Sequence, residues 1–375
     1  MTERGYPPTA MDAAAAGSLP AHGAGRDLSK GYARPATDAP GVAGRLLSSE
    51  YAELKQLVQE QGLLEKQPAY CARMVLITLS LLALVVAVLV LADSLWLRLL
   101  DAAGLAFVFT QISFIGHDAA HRQFCRSGRR ADIILLGVNC LIGLNRTWWV
   151  EKHDRHHRSP NYLDLDPDIN VSVLAFTEEQ ALSKRGVSRF IVRYQAFFFF
   201  PIMFLSSFSF VFAGIHFLLT RGGAKYPVAE PLAVGVHLAA YLGLLFYLLE
   251  PWQAVVFIGV HHLLQGLYMG SVFAPNHKGM PVLEAGNELD FLRKQVLTAR
   301  NVKPNPVSDF CYGGLNYQIE HHLFPSMARN KFSEARKIVK EFCWARSIPY
   351  HETGIIRSQR EILGYLHRVS APLRS

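Results

Sequence analysis

The sequence predicts an all-α integral-membrane protein: two transmembrane helical hairpins, four spans in all, under a helical cytosolic cap that holds a di-metal site. Three observations predict it. Of the 375 residues, 50% are apolar and 18% charged, too apolar for an ordinary soluble chain and too charged for a bare bundle of spans. Apolar runs of about twenty residues, each long enough to cross a bilayer, come in pairs separated by short polar breaks. Three histidine clusters, near residues 117, 153 and 318, stand beside those runs at helical spacing. The formal net charge of +8 does not indicate a nucleic-acid partner, because the basic residues flank apolar runs instead of gathering on one exposed face.

Taken in order, residues 1–44 are rich in Gly, Ala, Pro, Ser and Thr and lack apolar periodicity. They are expected to be a disordered tail, with too little apolar surface to offset the entropy of ordering. From Arg45 to Gln67, Leu46, Leu47, Tyr51, Leu54, Leu57, Val58 and Leu64 recur at helical spacing and Pro68 ends the pattern. This predicts an amphipathic cytosolic helix over 45–70, lying on the cap or on the membrane surface. No signal peptide is visible: the first apolar run begins near residue 71 with no small-residue cleavage site after it, so the spans themselves are expected to direct insertion.

Residues 71–116 read as the first hairpin. Met74–Leu91 carries no charge and at helical rise covers about 27 Å. Leu95–Gly116 follows the break at Ala92, Asp93 and Ser94, with Arg98 and Asp101 placed to pair near the interface. Residues 117–230 are expected in the cytosolic cap, although they contain a third apolar run, Phe197–Leu219. Residues 231–273 hold two more, Leu232–Leu249 and Trp252–Phe273. Five crossings would strand the last histidine cluster on the far side from the first two, so one run does not cross. Arg221 and Lys225 mark the loop before Leu232 as cytoplasmic, whereas the Glu250–Pro251 turn carries no cation. Residues 231–273 are therefore the second hairpin, and Phe197–Leu219, softened by Ser206, Ser207 and Ser209, lies in the interface or re-enters. Residues 274–375 form the cytosolic C-terminal region. The five cysteines, Cys71, Cys125, Cys140, Cys311 and Cys343, stand singly, which suits a reducing, cytoplasm-facing setting.

His117 and His121 form an HxxxH pair, a weak signal alone in a chain with 15 histidines. His153, His156 and His157 form HxxHH, and Gln318, His321 and His322 repeat that spacing as QxxHH; such patterns are rare at this composition. Positions i, i+3 and i+4 share one helical face, so each cluster can aim its imidazoles at one point and reads as a half-set of metal ligands. Imidazole suits iron, zinc, copper and nickel, and eight or so donors exceed what one ion accepts, so two ions are implied. His261 and His262 lie inside the last apolar run and read as hydrogen-bonding groups within the bundle. His216 and His237 read as structural, and His22, His351 and His367 carry no signal.

The segments HDAAH (117–121), HDRHH (153–157) and QIEHH (318–322), the last continuing as EHHLFPSM, stand in this order around two hydrophobic hairpins. Over roughly residues 70–350 they resemble the three histidine boxes of membrane fatty-acid desaturases. The glutamine that opens the third box resembles the front-end subgroup, which inserts a double bond between an existing one and the carboxyl end. The resemblance implies an O2-dependent desaturase with two iron ions ligated by His117, His121, His153, His156, His157, His321 and His322. His277, in FAPNHKGMP, resembles the extra ligand placed between the second and third boxes. Gln318 stands where other subgroups have histidine; its amide oxygen either ligates or holds a water, and ligation is the preferred reading. Asn276 is a candidate for orienting a metal-bound water.

Asp118, Asp154 and Glu320 each neighbour an implied ligand and are candidates to accept its second ring N–H. Solvent-facing helix charges would give the same pattern. Trp148 and Trp149 suit either an acyl channel or an interfacial aromatic belt. Many front-end members carry a fused cytochrome b5 domain marked by HPGG, which does not occur in this sequence. Electrons are therefore expected from a separate ferredoxin or cytochrome b5 with its reductase. The implied substrate is a fatty acyl chain on a membrane lipid or on CoA, and the active site is expected on the cytoplasmic side. The same iron site could instead serve a membrane di-iron hydroxylase acting on a lipid, sphingoid or carotenoid chain. A zinc hydrolase would need an HExxH that is not here, and a metal transporter or sensor would line its spans with ionisable groups.

Overall fold

A computed structural model of the chain describes residues 42–220 and 223–375. The tail expected over 1–44 falls almost wholly outside the described residues, as does Arg221. Helices dominate the rest. The chain opens with α1 (Val42–Glu60), α2 (Pro68–Leu91), α3 (Leu95–Ala120), α4 (Gly128–Ile142) and α5 (Arg146–Arg158). It continues through α6 (Glu178–Ser183), α7 (Gly186–Arg193), α8 (Gln195–Phe204), α9 (Ser206–Thr220), α10 (Ala229–Leu248) and α11 (Pro251–His277). The C-terminal part holds α12 (Phe291–Leu297), α13 (Pro306–Cys311), α14 (Gln318–Leu323), α15 (Phe332–Ala345) and α16 (Ile355–Val369). Two short parallel strands, β1 (Asn301–Val302) and β2 (Glu352–Thr353), pair in the same part.

Four helices are long and apolar enough to cross a membrane: α2, α3, α10 and α11, with 24, 26, 20 and 27 residues. Their shared core is built from Leu89, Leu105, Phe109, Ile112, Leu245 and Phe257, together with Val138 and Ile142 of α4. The outer faces stay apolar and uncovered, as at Leu76, Leu84, Leu91 and Tyr247, the pattern expected where lipid replaces water as the solvent. The run Phe197–Leu219 divides at Leu205 into α8 and α9, and α7 meets α8 at 109°. α4 meets α5 at 114°, so the second histidine cluster lies across the end of the bundle instead of continuing along it.

Several boundaries differ from the sequence expectation, each for a local reason. α1 stops at Glu60, not at Gln67, because Gly62 turns the chain at φ +65°. Pro68 then opens α2 at its first turn, where the missing N–H costs no helical bond. Arg98 and Asp101 form no ion pair with each other; Asp101 is buried, and Arg98 Nε has no hydrogen-bond partner. α11 runs past Phe273 to His277 despite Pro275 inside it. Proline cannot donate to the Ser271 carbonyl, and Gln359 Nε2 from α16 donates there instead, at 3.3 Å. α4 was not anticipated at all: its apolar stretch is too short to read as a span.

A second core underlies the cap. Leu54 and Val58 of α1, both 0% exposed, pack with Leu292 and Val296 of α12, Leu323 of α14 and Val339 of α15. Each such side chain is worth about 1.5–3 kcal/mol when fully buried. Tyr51 adds a hydrogen bond from its hydroxyl to the Leu323 carbonyl at 2.8 Å. The face of α1 thus settles on the segment that carries the third histidine cluster.

Candidate metal centre

The three clusters and His277 meet at one end of the long helices. His117 stands in the last turn of α3 and His121 caps that helix. His153, His156 and His157 lie on α5, His277 ends α11, and His321 and His322 lie on α14. Two buried carboxylates fix the start of α5. Asp132 of α4 accepts from Arg146, Lys225 Nζ (2.6 Å) and the Tyr226 hydroxyl (2.8 Å). Glu230 of α10 accepts from Asn145 Nδ2 at 2.9 Å and from the backbone N–H and hydroxyl of Thr147 at 3.1 and 2.6 Å. The segment before α14 docks on α3 through Gly313, at φ +58°, where a Cβ would come within 2.5 Å of the Phe114 ring.

The imidazoles do not converge on one point per cluster, as helical spacing suggested. They form two groups that cut across the clusters. His117, His121, His153, His157 and His321 make one group, and His156, His277 and His322 the other; within each, the ligand atoms lie within 4.8 Å of one another. The second and third clusters are each divided because adjacent residues on a helix point about 100° apart, so His156 and His157 face different neighbours. The groups adjoin: the His157 and His322 rings stack with centroids 4.2 Å apart.

The donor set fits metal ions. Two imidazole nitrogens about 2.0–2.1 Å from one ion and at right angles are about 3 Å apart. His121 Nε2 and His153 Nε2 are 2.8 Å apart, and His157 and His321 3.1 Å, in the first group. In the second, His277 Nε2 lies 3.2 Å from His156 Nε2 and 3.1 Å from His322 Nε2. Burial first, and crowding by neighbouring imidazoles second, hold His153, His157, His321 and His322 well below the ordinary histidine range. Neutral rings keep the lone pairs that ligation needs.

Gln318 lies at the second group with its amide nitrogen 2.9 Å from His277 Nε2, while its oxygen accepts from Asn276 Nδ2 at 2.9 Å. An amide nitrogen is a poor ligand, so oxygen ligation requires the Gln318 amide to turn over together with that of Asn276. Trp149 lies flat against the His153 ring at 4.7 Å, whereas Trp148 packs on Phe210.

The carboxylates expected behind the ligands are mostly elsewhere. Asp154 is exposed and forms no side-chain hydrogen bond among the described residues. Glu320 is buried but accepts from Asn301 Nδ2 and the Tyr350 hydroxyl, not from an imidazole. Asp118 pairs with Arg329 and stays 3.5 Å from His117 Nδ1, which has no hydrogen-bond partner. The groups that do meet the rings are Asp166 at His156 Nδ1 (3.0 and 3.1 Å), the Thr298 carbonyl at His277 Nδ1 (2.9 Å) and Gln295 Oε1 at His322 Nδ1 (2.8 Å). The acid-rich stretch DLDPDIN after the second cluster was the available signal for Asp166. Gln295 and Thr298 carried none.

A family model described as fatty acid desaturase matches residues 94–354. The chain is 28% identical over 336 residues to an acyl-lipid (9-3)-desaturase of Physcomitrium patens, covering 86% of this chain and 63% of that protein. It is 30% identical over 315 residues to a delta(6)-fatty-acid desaturase of Caenorhabditis elegans, covering 80% and 70% of the two chains. Against a delta(8)-fatty-acid desaturase of Borago officinalis it is 29% identical over 328 residues, covering 81% and 71%. The chain thus spans less than two thirds of the length of the Physcomitrium patens relative.

Proposed function

The chain belongs to the fatty acid desaturase family, and from that premise we propose that it inserts a cis double bond into a fatty acyl chain carried on a lipid or on CoA, in an O2-dependent reaction at two iron ions. The observation that carries the reading is the convergence of eight imidazoles, from three distant segments and His277, into two adjoining groups at one end of four long apolar helices. His117, His121, His153, His157 and His321 would hold one ion, and His156, His277 and His322, with Gln318, the other. When bound, two irons supply the O2-activating redox chemistry that breaks an unactivated C–H bond, which no side chain can do alone.

The protein contributes placement. The rings of His121, His153, His156, His157, His277, His321 and His322 present their Nε2 atoms to one another, and Trp149 steadies His153. The glycine turn at 313 seals the α14 segment against α3, which helps to exclude water from the centre. Because the centre sits where α3 and α11 leave the apolar zone, the acyl chain reaches it from the lipid side. A front-end, delta-6-like regiochemistry is supported by the QIEHH form of the third cluster and by relatives named delta(6) and delta(8). Electrons come from a ferredoxin or cytochrome b5 with its reductase. The cytoplasmic side is favoured for the centre because Lys66, Arg73, Arg122, Lys225 and Lys278 cluster at the histidine ends of the spans, whereas the opposite ends carry Asp93, Glu250 and the cation Arg98.

The test is purified protein, a matched electron donor and defined unsaturated acyl substrates, with iron content and product mass as readouts. A product lighter by two hydrogens and about two irons per chain are expected. A product heavier by one oxygen would make the protein a hydroxylase. Full turnover in His157→Ala or His321→Ala would rule out this ligand set.

A further inference from the structure

The two imidazole groups are unequal. One has five rings and the other three, so an ion in the smaller group has fewer nitrogen donors and depends more on how each is held. All three rings of the smaller group are braced at Nδ1, but His277 and His322 lean on neutral oxygens, the Thr298 carbonyl and the Gln295 amide. His156 leans on a carboxylate. Among the described residues, Asp166 is the one acid within 3.1 Å of any of the eight rings. The rivals are Asp118, at 3.5 Å from His117 and engaged by Arg329, and Asp168, at 3.6 Å from His156 and engaged by Lys152.

Asp166 is itself immobilised. It is 0% exposed, and its two oxygens accept from the backbone N–H groups of Asn161 (2.8 Å) and Asp168 (2.9 Å). The loop that carries it is tied to the end of α11: Asn161 Nδ2 donates to the His277 carbonyl at 2.9 Å, and Leu163 N–H to the Leu283 carbonyl at 2.7 Å. Lys152 closes the outer side by pairing with Asp168, and Lys278 Nζ donates to the Asp168 carbonyl at 2.7 Å. A carboxylate so fixed sets the tautomer and direction of His156, leaving Nε2 turned toward His277, and raises the donor strength of the ring.

We propose that Asp166 is the positioning residue of the smaller group, so that retention of the second ion, but not of the first, depends on it. The inference rests on the two-iron reading above. The test uses the full chain loaded with Fe(II) and challenged with a ferrous chelator, alongside Mössbauer spectra of the iron-57 form. Asp166→Asn keeps the size of the side chain and removes its charge. It should hold one iron as firmly as the wild type and bind the other about 10–100-fold more weakly, with only one of the two iron signals altered. Lys152→Met releases Asp168, which lies 3.6 Å from His156 Nδ1, while leaving Asp166 and its backbone donors in place, and it should retain both irons. Loss of the second iron in Lys152→Met to the same degree, loss of both irons in Asp166→Asn, or unchanged retention there would each overturn the inference. Wild-type protein that never holds more than one iron would overturn the two-iron reading itself.

Discussion

At Glu361, burial alone would lift the carboxyl, yet hydrogen bonds from His351 and from Arg300 hold it down to about 2 from the ordinary 4.5. Arg300, 1% exposed, also donates to the carbonyls of Pro275 and Lys278, so this carboxylate anchors α16 to the turn that presents His277. A depressed carboxyl stabilises the fold above its unfolded pKa, and that contribution is lost as pH falls through the folded value. Thermal unfolding in detergent should therefore show stability declining as pH drops from 4.5 toward 2, and Glu361→Gln should flatten that decline. A slope identical in the variant would show that the link does not act. At this scale, the donor histidines were legible because imidazole at i, i+3 and i+4 is itself a chemical statement. Glu320 shows the limit, since its neighbours Asn301 and Tyr350 are 19 and 30 residues away in sequence and nothing local announces them.

Between elements, two glycines of α11 let it pack closely on α8. A Cβ on Gly266 would lie 2.5 Å from the Phe204 carbonyl oxygen and 2.7 Å from that of Met203. Backbone cannot step aside, so Gly266→Ala should cost about 1–3 kcal/mol. A Cβ on Gly270 would meet the Met203 side chain, Sδ at 2.5 Å and Cβ at 2.9 Å; the thioether can turn away, so only a small backbone shift is left to make. Gly270→Ala should accordingly lower the unfolding temperature less than Gly266→Ala, and the reverse order would refute this packing. The four long helices were legible as apolar runs, once the fifth run, Phe197–Leu219, was set aside by the charges of the flanking loops and the shared side of the histidine clusters. Helix ends were not legible: Gly62 stops α1 early through its own backbone, while α11 passes Pro275 with help from Gln359, far away in sequence.

For the whole molecule, the cation-rich histidine face implies an orientation that chemical labelling can read. Asp93 and Arg158 are exposed on opposite ends of the bundle. In intact cells an impermeant maleimide should label Asp93→Cys and spare Arg158→Cys until the membrane is opened; the opposite result would invert the proposed topology. Phe197–Leu219 illustrates how the global layout feeds back on a segment. As a sequence it is one apolar run, but beside α11 it breaks at Leu205 into two helices, and Ser207 bonds to Gln265 at 2.7 Å and lies 2.8 Å from His262 Nδ1. Hydrogen bonding within the bundle, expected for His262, is what the structure contains.

The sequence by itself determined the nature of the donors, the places of the apolar runs and the resemblance carried by the three histidine clusters. All of these follow from side-chain chemistry and helical period, which are properties of a chain read a few residues at a time. Only the tertiary structure decided how the imidazoles divide into two groups and which oxygens brace them. Those choices depend on which faces of α3, α5, α11 and α14 meet across the end of the bundle, and packing between segments up to about two hundred residues apart settles them without leaving a local trace.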